Sequence, residues 1–364
     1  MHDTTGEAII NMFRVNLAVR KDEKVIVFSD RYDKGITALE KRISAAGSEF
    51  SNTIRSLHFG PMGCHGTEPP EELWREAFGE QVYRKMKEKK LFRPVLTKNA
   101  TKEQLREIER VIKRHAHDGA DVVIALSYYS TSHTRFRDFL NRICGTRYAS
   151  MPLFDEAMLS GPMKVDWKKM EERTKKVAVR INKCEKIIVE SENGTDITLS
   201  KKNRDAHMDT GMITKKGQFS NLPAGEVYLA PVEGTAEGTL VLEWAPTRKL
   251  KHPVTLHVRQ GMVERVEGKE RYVTFLEKKF SEQKENRNIA ELGIGTNDRA
   301  RRPDNILESE KIFGTIHIAL GDNSSFGGRV RTPFHQDFVF FKPSLSLVFK
   351  SGRRRRLMHA GKLL

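Results

Sequence analysis

Five side chains in the second half of the chain, Glu226, Glu291, His317, His335 and Asp337, have types and settings that suit metal chemistry. Glu226 follows a Pro-Ala-Gly turn at 223–225, which holds a carboxylate on a stiff, shape-defined backbone. Glu291 precedes a stretch with glycine at 293 and 295, read here as a turn in which backbone approaches a ligand closely. His317 lies between Ile316 and Ile318 in an apolar run, where an imidazole needs a hydrogen bond or a metal. His335 and Asp337 are two residues apart, so on a strand they share a face. Three carboxylates and two imidazoles form a mixed oxygen and nitrogen set suited to Zn²⁺, Co²⁺ or Mn²⁺ and, less well, Mg²⁺. Two such ions bring +4 against −3 from the carboxylates, which leaves about +1 to favour a bridging hydroxide and polarise a substrate carbonyl. Plainer readings stand beside this one. A mid-strand histidine is commonly a hydrogen-bonded core residue, His-x-Asp pairs arise by chance, and a glutamate after glycine can simply begin a strand.

The elements that must position these residues read as two halves. In the first, Ala8, Met12 and Val15, flanked by Ile9, Phe13 and Leu17, suit an amphipathic opening helix. The continuous apolar run 25–28 suits a buried strand, and 121–126, apolar after Asp121, suits a second. Between and after them, Ile36, Leu39 and Ile43 recur at helical spacing ahead of Gly47 as a C-cap, and Thr101 with Gln104 forms a capping-box pattern. Strands separated by helices predict a layered, largely parallel α/β domain over residues 1–170. From 171 to 364 the pattern changes. After a basic helix from Trp167 to about Asn182, strand-like segments at 187–189, 195–199, 227–230, 254–258, 314–320, 338–341 and 345–349 predict an α+β domain with a mixed or antiparallel sheet. That second domain is expected to hold the metals.

The chain has 364 residues, of which 38% are hydrophobic and 31% charged, a globular composition too long for one ordinary core. No run approaches the roughly 18–20 apolar residues of a membrane span, and the opening residues carry no secretory pattern, so a cytoplasmic protein is expected. Cys64, Cys144 and Cys184 lie far apart and read as reduced thiols. The formal charge of +16 invites a polyanionic partner, but the basic residues are spread along the chain, with one dense run at 353–356. Specific nucleic-acid recognition is therefore not expected. Adjacent pairs such as Ser132-His133 and Cys64-His65 read as loop residues, since neighbours in sequence rarely face each other as nucleophile and base.

The stretches FSNLPAGEVYLAPVEGTAEG (219–238), AELGIGTN (290–297), ESEKIFGTIHIALGDN (308–323), FGG (326–328) and HQD (335–337) resemble the aminopeptidase T family, also called thermophilic or leucyl aminopeptidases. Weaker matches lie at 120–134, 148–152 and 194–200. The resemblance implies an N-terminal α/β domain, a C-terminal metal-binding domain and a homodimer. It implies that Glu226, Glu291, His317, His335 and Asp337 bind two divalent ions. It implies a metallo-aminopeptidase, in which a metal-activated hydroxide attacks the first peptide bond of substrates with a free N-terminus. Glu226 or Glu291, released from a metal, would shuttle the proton to the leaving amine. Better-described members have a tyrosine seven positions after the HIALG histidine; here Ser324 stands there and Phe326 follows, and Asp322 or Tyr228 is the nearest compensation. Some relatives of this kind hold one ferrous iron and open dihydroxypyridine rings with O₂. That single-iron activity, and a non-catalytic polyanion-binding protein, are the alternatives.

Overall fold

The two apolar runs of the first half are neighbouring strands in the computed structural model, which describes residues 4–30 and 34–364. Lys24–Ser29 pairs in parallel with Thr53–His58 on one side and Val122–Leu126 on the other. Arg147–Ser150 and Phe219–Asn221 complete a five-stranded, all-parallel sheet. Every residue of Val122–Leu126 is buried, as a strand covered on both faces requires.

The helix Lys102–Arg114 begins at the expected capping box. Gln104 N donates to Thr101 Oγ1 at 3.2 Å, and Thr101 N donates to Gln104 Oε1 at 2.9 Å. Gly47 has a different role from the expected cap. It is the last residue of the helix Lys34–Gly47, and a Cβ there would lie 2.3 Å from Ile54 Cδ1 and 2.8 Å from the Phe13 ring, so close packing selects glycine. The opening helix Thr4–Asn11 runs into a π-helical turn, Met12–Asn16.

The chain divides into two units: Met1–Lys164 with Gly211–Pro223, and Val165–Thr210 with Ala224–Leu364. The strand Phe219–Asn221 thus belongs to the first unit although it follows the expected boundary near residue 170. No described helix is long and apolar enough to cross a membrane.

Glu68 is a buried carboxylate of the first unit. It accepts hydrogen bonds from Arg135 N at 2.6 Å and Phe136 N at 3.0 Å, at the start of the helix Arg135–Phe139. Burial pushes it up to about 7 from 4.5, against those two donors. Below about pH 4.5 the carboxyl is protonated folded and unfolded alike, and its contribution to stability is complete. As pH rises to about 7 the unfolded chain releases a proton that the folded one keeps, so stability falls by on the order of 3 kcal/mol. Glu68→Gln is expected to remove that part of the slope. Urea denaturation of both proteins between about pH 5 and 7 checks it; parallel pH profiles would refute the assignment.

In the second unit two antiparallel sheets share one core. The eight-stranded sheet runs, in spatial order, Met262–Glu267, Arg248–Arg259, Glu237–Ala245, Asp196–Ser200, Lys186–Glu190, Ser344–Val348, Arg354–His359 and Lys362–Leu363. The five-stranded sheet runs His335–Phe340, Ile316–Gly321, Ile289–Gly295, Glu226–Leu229 and His207–Asp209. Leu199, Leu240 and Leu256 of the first sheet join Leu292, Ile318 and Phe338 of the second in a single apolar cluster. The helix Trp167–Asn182, capped by Asp166 at Lys169 N (3.1 Å), adds Val177, Ala178 and Ile181 to it.

Candidate metal centre

Strand alternation builds the site on the five-stranded sheet. Val227, Leu292, Ile294, Ile316, Ile318, Leu320 and Phe338 point into the core, which leaves the intervening residues on the opposite face. Register then aligns that face. Glu226 opposes Gly295, Tyr228 opposes Gly293, and Gly293 opposes His317. Glu291 opposes Ala319, Ala319 opposes Asp337, and Gly321 opposes His335. All five expected donors therefore share one face, with glycine or alanine between them.

The glycines of 290–297 serve a strand, not the expected turn. Ile289–Gly295 is a buried central strand, and a Cβ on Gly293 would lie 1.9 Å from His317 Cε1. The imidazole of His317 thus fits only because nothing projects from Gly293. A Cβ on Gly295 would meet Ile312 O at 2.0 Å, so that glycine admits the backbone that carries Lys311.

The polar atoms form a continuous chain. His335 Nε2 lies 3.5 Å from Asp337 Oδ2 and 3.4 Å from Glu291 Oε2. His317 Nε2 lies 3.4 Å from Glu291 Oε1 and 3.5 Å from Glu226 Oε2. Among the described residues, Glu291, His335 and Asp337 bring one ligand atom each within 4.8 Å of one another, a set able to hold a metal ion. His317 adjoins that group through Glu291, and Glu226 stands one step further away. His335 Nδ1 is 2.7 Å from the carbonyl oxygen of Asp322. A carbonyl only accepts, so Nδ1 carries the proton and Nε2 is left as the ligating nitrogen.

Lys311 was not among the residues expected from the sequence. Its side chain is 0% exposed, with Nζ 2.7 Å from Glu226 Oε1 and 3.0 Å from Glu310 Oε2. Burial alone would lower its pKa, but the fields of Glu226, Glu310 and Asp209 outweigh that and hold it well above its ordinary value. Burial pushes the Glu310 carboxyl up to about 8 in spite of Lys311. The carboxylates also outweigh burial at His317, raised to about 9, and at His335, raised well above the ordinary histidine value. Asp337 and Glu291 are lowered, since the histidines beside them overcome burial. A field that strongly favours cationic imidazole equally favours a divalent cation, and the nitrogen and oxygen donors fit one. Glu226 Oε2 and His317 Nδ1 have no hydrogen-bond partner.

The remaining sequence candidates serve structure. The Asp322 carboxylate accepts from Ser324 N, Ser324 Oγ and Thr332 N at 3.1 Å each, which fixes the loop above His335. Ser132 Oγ bonds Ser130 Oγ and Ser150 Oγ, and Cys64 Sγ lies 3.1 Å from Thr67 Oγ1.

The family model of NicX, 2,5-dihydroxypyridine 5,6-dioxygenase, matches residues 85–349. A 2,5-dihydroxypyridine 5,6-dioxygenase of Pseudomonas putida is 26% identical over an alignment of 165 positions that covers 41% of this chain and 47% of that protein. The chain thus matches about half the length of this curated relative. The solved 2,5-dihydroxypyridine dioxygenase of Pseudomonas putida superposes with a TM-score of 0.72 at 17% identity, covering 99% of this chain and 96% of that one. AmpT from Thermus thermophilus superposes with a TM-score of 0.63 at 13% identity, covering 99% of both chains. Both structures share the two-domain fold of a parallel sheet with helices followed by antiparallel sheets. The resemblance to aminopeptidase T therefore holds for the fold. The expected metallo-aminopeptidase activity, with its hydrolase, protease and exopeptidase character, is overturned by the family match and the curated relative, which name a ring-cleaving dioxygenase.

Proposed function

The chain belongs to the 2,5-dihydroxypyridine 5,6-dioxygenase family, and from that premise we propose that it is a ring-opening dioxygenase with one ferrous ion at Glu291, His335 and Asp337. His317, beside Glu291, is the adjacent donor. The proposed substrate is a dihydroxylated pyridine, and the second reactant is O₂. Ferrous iron supplies the redox chemistry that couples O₂ to an electron-rich hydroxylated ring.

The observation that carries the single-ion reading is Lys311. Its ammonium pairs with Glu226, the carboxylate that a second metal would need. The charges close accordingly. With Glu310 counted as the neutral acid that burial favours, Glu226, Glu291 and Asp337 bring −3, Lys311 brings +1 and one divalent ion brings +2, for a sum of about zero; a second ion would leave about +2. The chain's residues have distinct tasks. Asp337 and Glu291 supply anionic oxygens, the Asp322 carbonyl aims His335 Nε2 at them, and Gly293 leaves room for His317. His335 is the most exposed of the donors, with 29% of its side chain exposed against 14% for Asp337, 10% for Glu291 and 1% for His317, so the ring approaches from its side.

The test is oxygen uptake together with loss of the ring's ultraviolet absorbance when metal-depleted protein receives Fe²⁺ and 2,5-dihydroxypyridine. Activity is expected to saturate at about one Fe²⁺ per chain and to be blocked by Zn²⁺, which cannot change oxidation state. Saturation only at two ions per chain would refute the single-ion centre. No uptake with Fe²⁺ across a set of dihydroxypyridines would refute the activity.

A further inference from the structure

Beside His335 stands a group of aromatic rings, Phe326, Tyr228 and His207. The Phe326 ring is perpendicular to that of His335, with centroids 6.1 Å apart. It meets Tyr228 at 73° with centroids 5.7 Å apart, and Tyr228 in turn lies 5.4 Å from His207. Tyr228 is on the donor face of the sheet, opposite Gly293 and so in the same row as His317. Phe326 and Tyr228 are both only partly buried.

Phe326 is held in place by its backbone. Its N–H donates to Asn323 O at 3.4 Å, and its carbonyl oxygen lies 3.2 Å from His207 Nε2. Asn323 is fixed in turn. Its amide donates to Glu233 Oε1 at 3.1 Å, and its Oδ1 accepts from Val330 N at 2.9 Å. A Cβ on Gly328 would lie 1.9 Å from Asn323 Cγ, so the turn closes tightly around that amide. A partly buried benzyl group on a clamped turn, beside the most exposed of the donors, offers apolar contact to a flat molecule and neither a proton nor a charge.

We propose that Phe326 is a specificity-determining residue that stacks on the planar ring of the substrate, with Tyr228 as the wall behind it. The proposal rests on the dioxygenase reading and deepens it, because a flat heteroaromatic ring is the ligand such a corner favours over an aliphatic chelator of similar size. Phe326 acts by orientation. It holds the ring in one plane against the metal centre and excludes water from the face it covers.

The test is calorimetric titration of iron-loaded protein with 2,5-dihydroxypyridine in the absence of O₂, so that binding is read without turnover. Phe326→Ala is expected to weaken ring binding about 10-fold or more, the scale of losing one aromatic stacking partner. Phe326→Leu should recover part of that loss and Phe326→Trp most of it. Malonate, a chelating acid without a ring, should bind wild type and all three variants alike, and iron content should not change. Ring affinity equal in wild type and Phe326→Ala overturns this proposal alone. So does a loss that extends equally to malonate. A wild-type protein that binds no dihydroxypyridine overturns the dioxygenase reading and this proposal with it.

Discussion

His335→Ala is expected to strip the protein of its metal, while Glu226→Gln leaves the metal content at one ion per chain. Among the described residues, His335 is one of the three side chains, with Glu291 and Asp337, whose ligand atoms converge within 4.8 Å. Its removal takes from Glu291 and Asp337 the imidazole that lies 3.4 and 3.5 Å from them, and leaves His317, on the other oxygen of Glu291, as the nearest remaining imidazole. Loss of an outer-shell partner typically costs about 10–100-fold in metal affinity, and a direct ligand costs more. Iron affinity should fall by at least about 100-fold, and oxygen uptake should fall with it. Glu226 differs because its Oε1 faces Lys311 and not the converging trio. Elemental analysis of the two variants beside wild type checks both halves. Metal retained in His335→Ala, or halved in Glu226→Gln from two ions per chain, would overturn the assignment.

The contrast between His335 and Glu226 also shows where the sequence was legible. Period-2 alternation in Ile316–Gly321 is visible in the bare letters: Ile316, Ile318 and Leu320 go to the core, and His317, Ala319 and Gly321 to the other face. The same rule placed His335 and Asp337 on one face. The parallel sheet was legible from two apolar runs, and one helix start from its Thr101 and Gln104 capping pair. What stayed hidden depends on register and on long-range approach. Glycine at 293 and 295 reads locally as a turn, because only the pairing of Ile289–Gly295 with Ile316–Gly321 shows that an imidazole needs the space. The strand Glu237–Ala245 alternates too, with Leu240 and Leu242 buried, but a bulge between Leu242 and Trp244 interrupts the period. Reaction type was less legible still. A set of carboxylates and imidazoles serves hydrolysis and oxygenation alike, and the lysine that changes the charge balance is 85 residues from its partner glutamate.

Lys311→Met is expected to destabilise the protein by about 3–5 kcal/mol, the scale found when one member of a buried ion pair is removed. The magnitude follows from what is left behind. Lys311 is wholly buried, and its ammonium is the hydrogen-bond donor to Glu226 Oε1 and to Glu310 Oε2. Glu226 Oε2 has no hydrogen-bond partner, so the variant would leave the buried carboxylate with no hydrogen bond at either oxygen and only the His317 imidazole, 3.5 Å away, as a nearby charge. Lys311→Met combined with Glu226→Gln removes both charges and should recover most of the loss, which makes the pair a double-mutant cycle with strongly non-additive arms. Excess divalent metal should also restore stability to the single variant, because a cation that binds only the folded state shifts the equilibrium by mass action. Urea denaturation of metal-free wild type, both single variants and the double variant measures all four corners. A cost for Lys311→Met within about 0.5 kcal/mol of zero, the range of ordinary surface substitutions, would mean that the ammonium is not the cation that satisfies Glu226. The charge argument for a single metal ion would then fail with it.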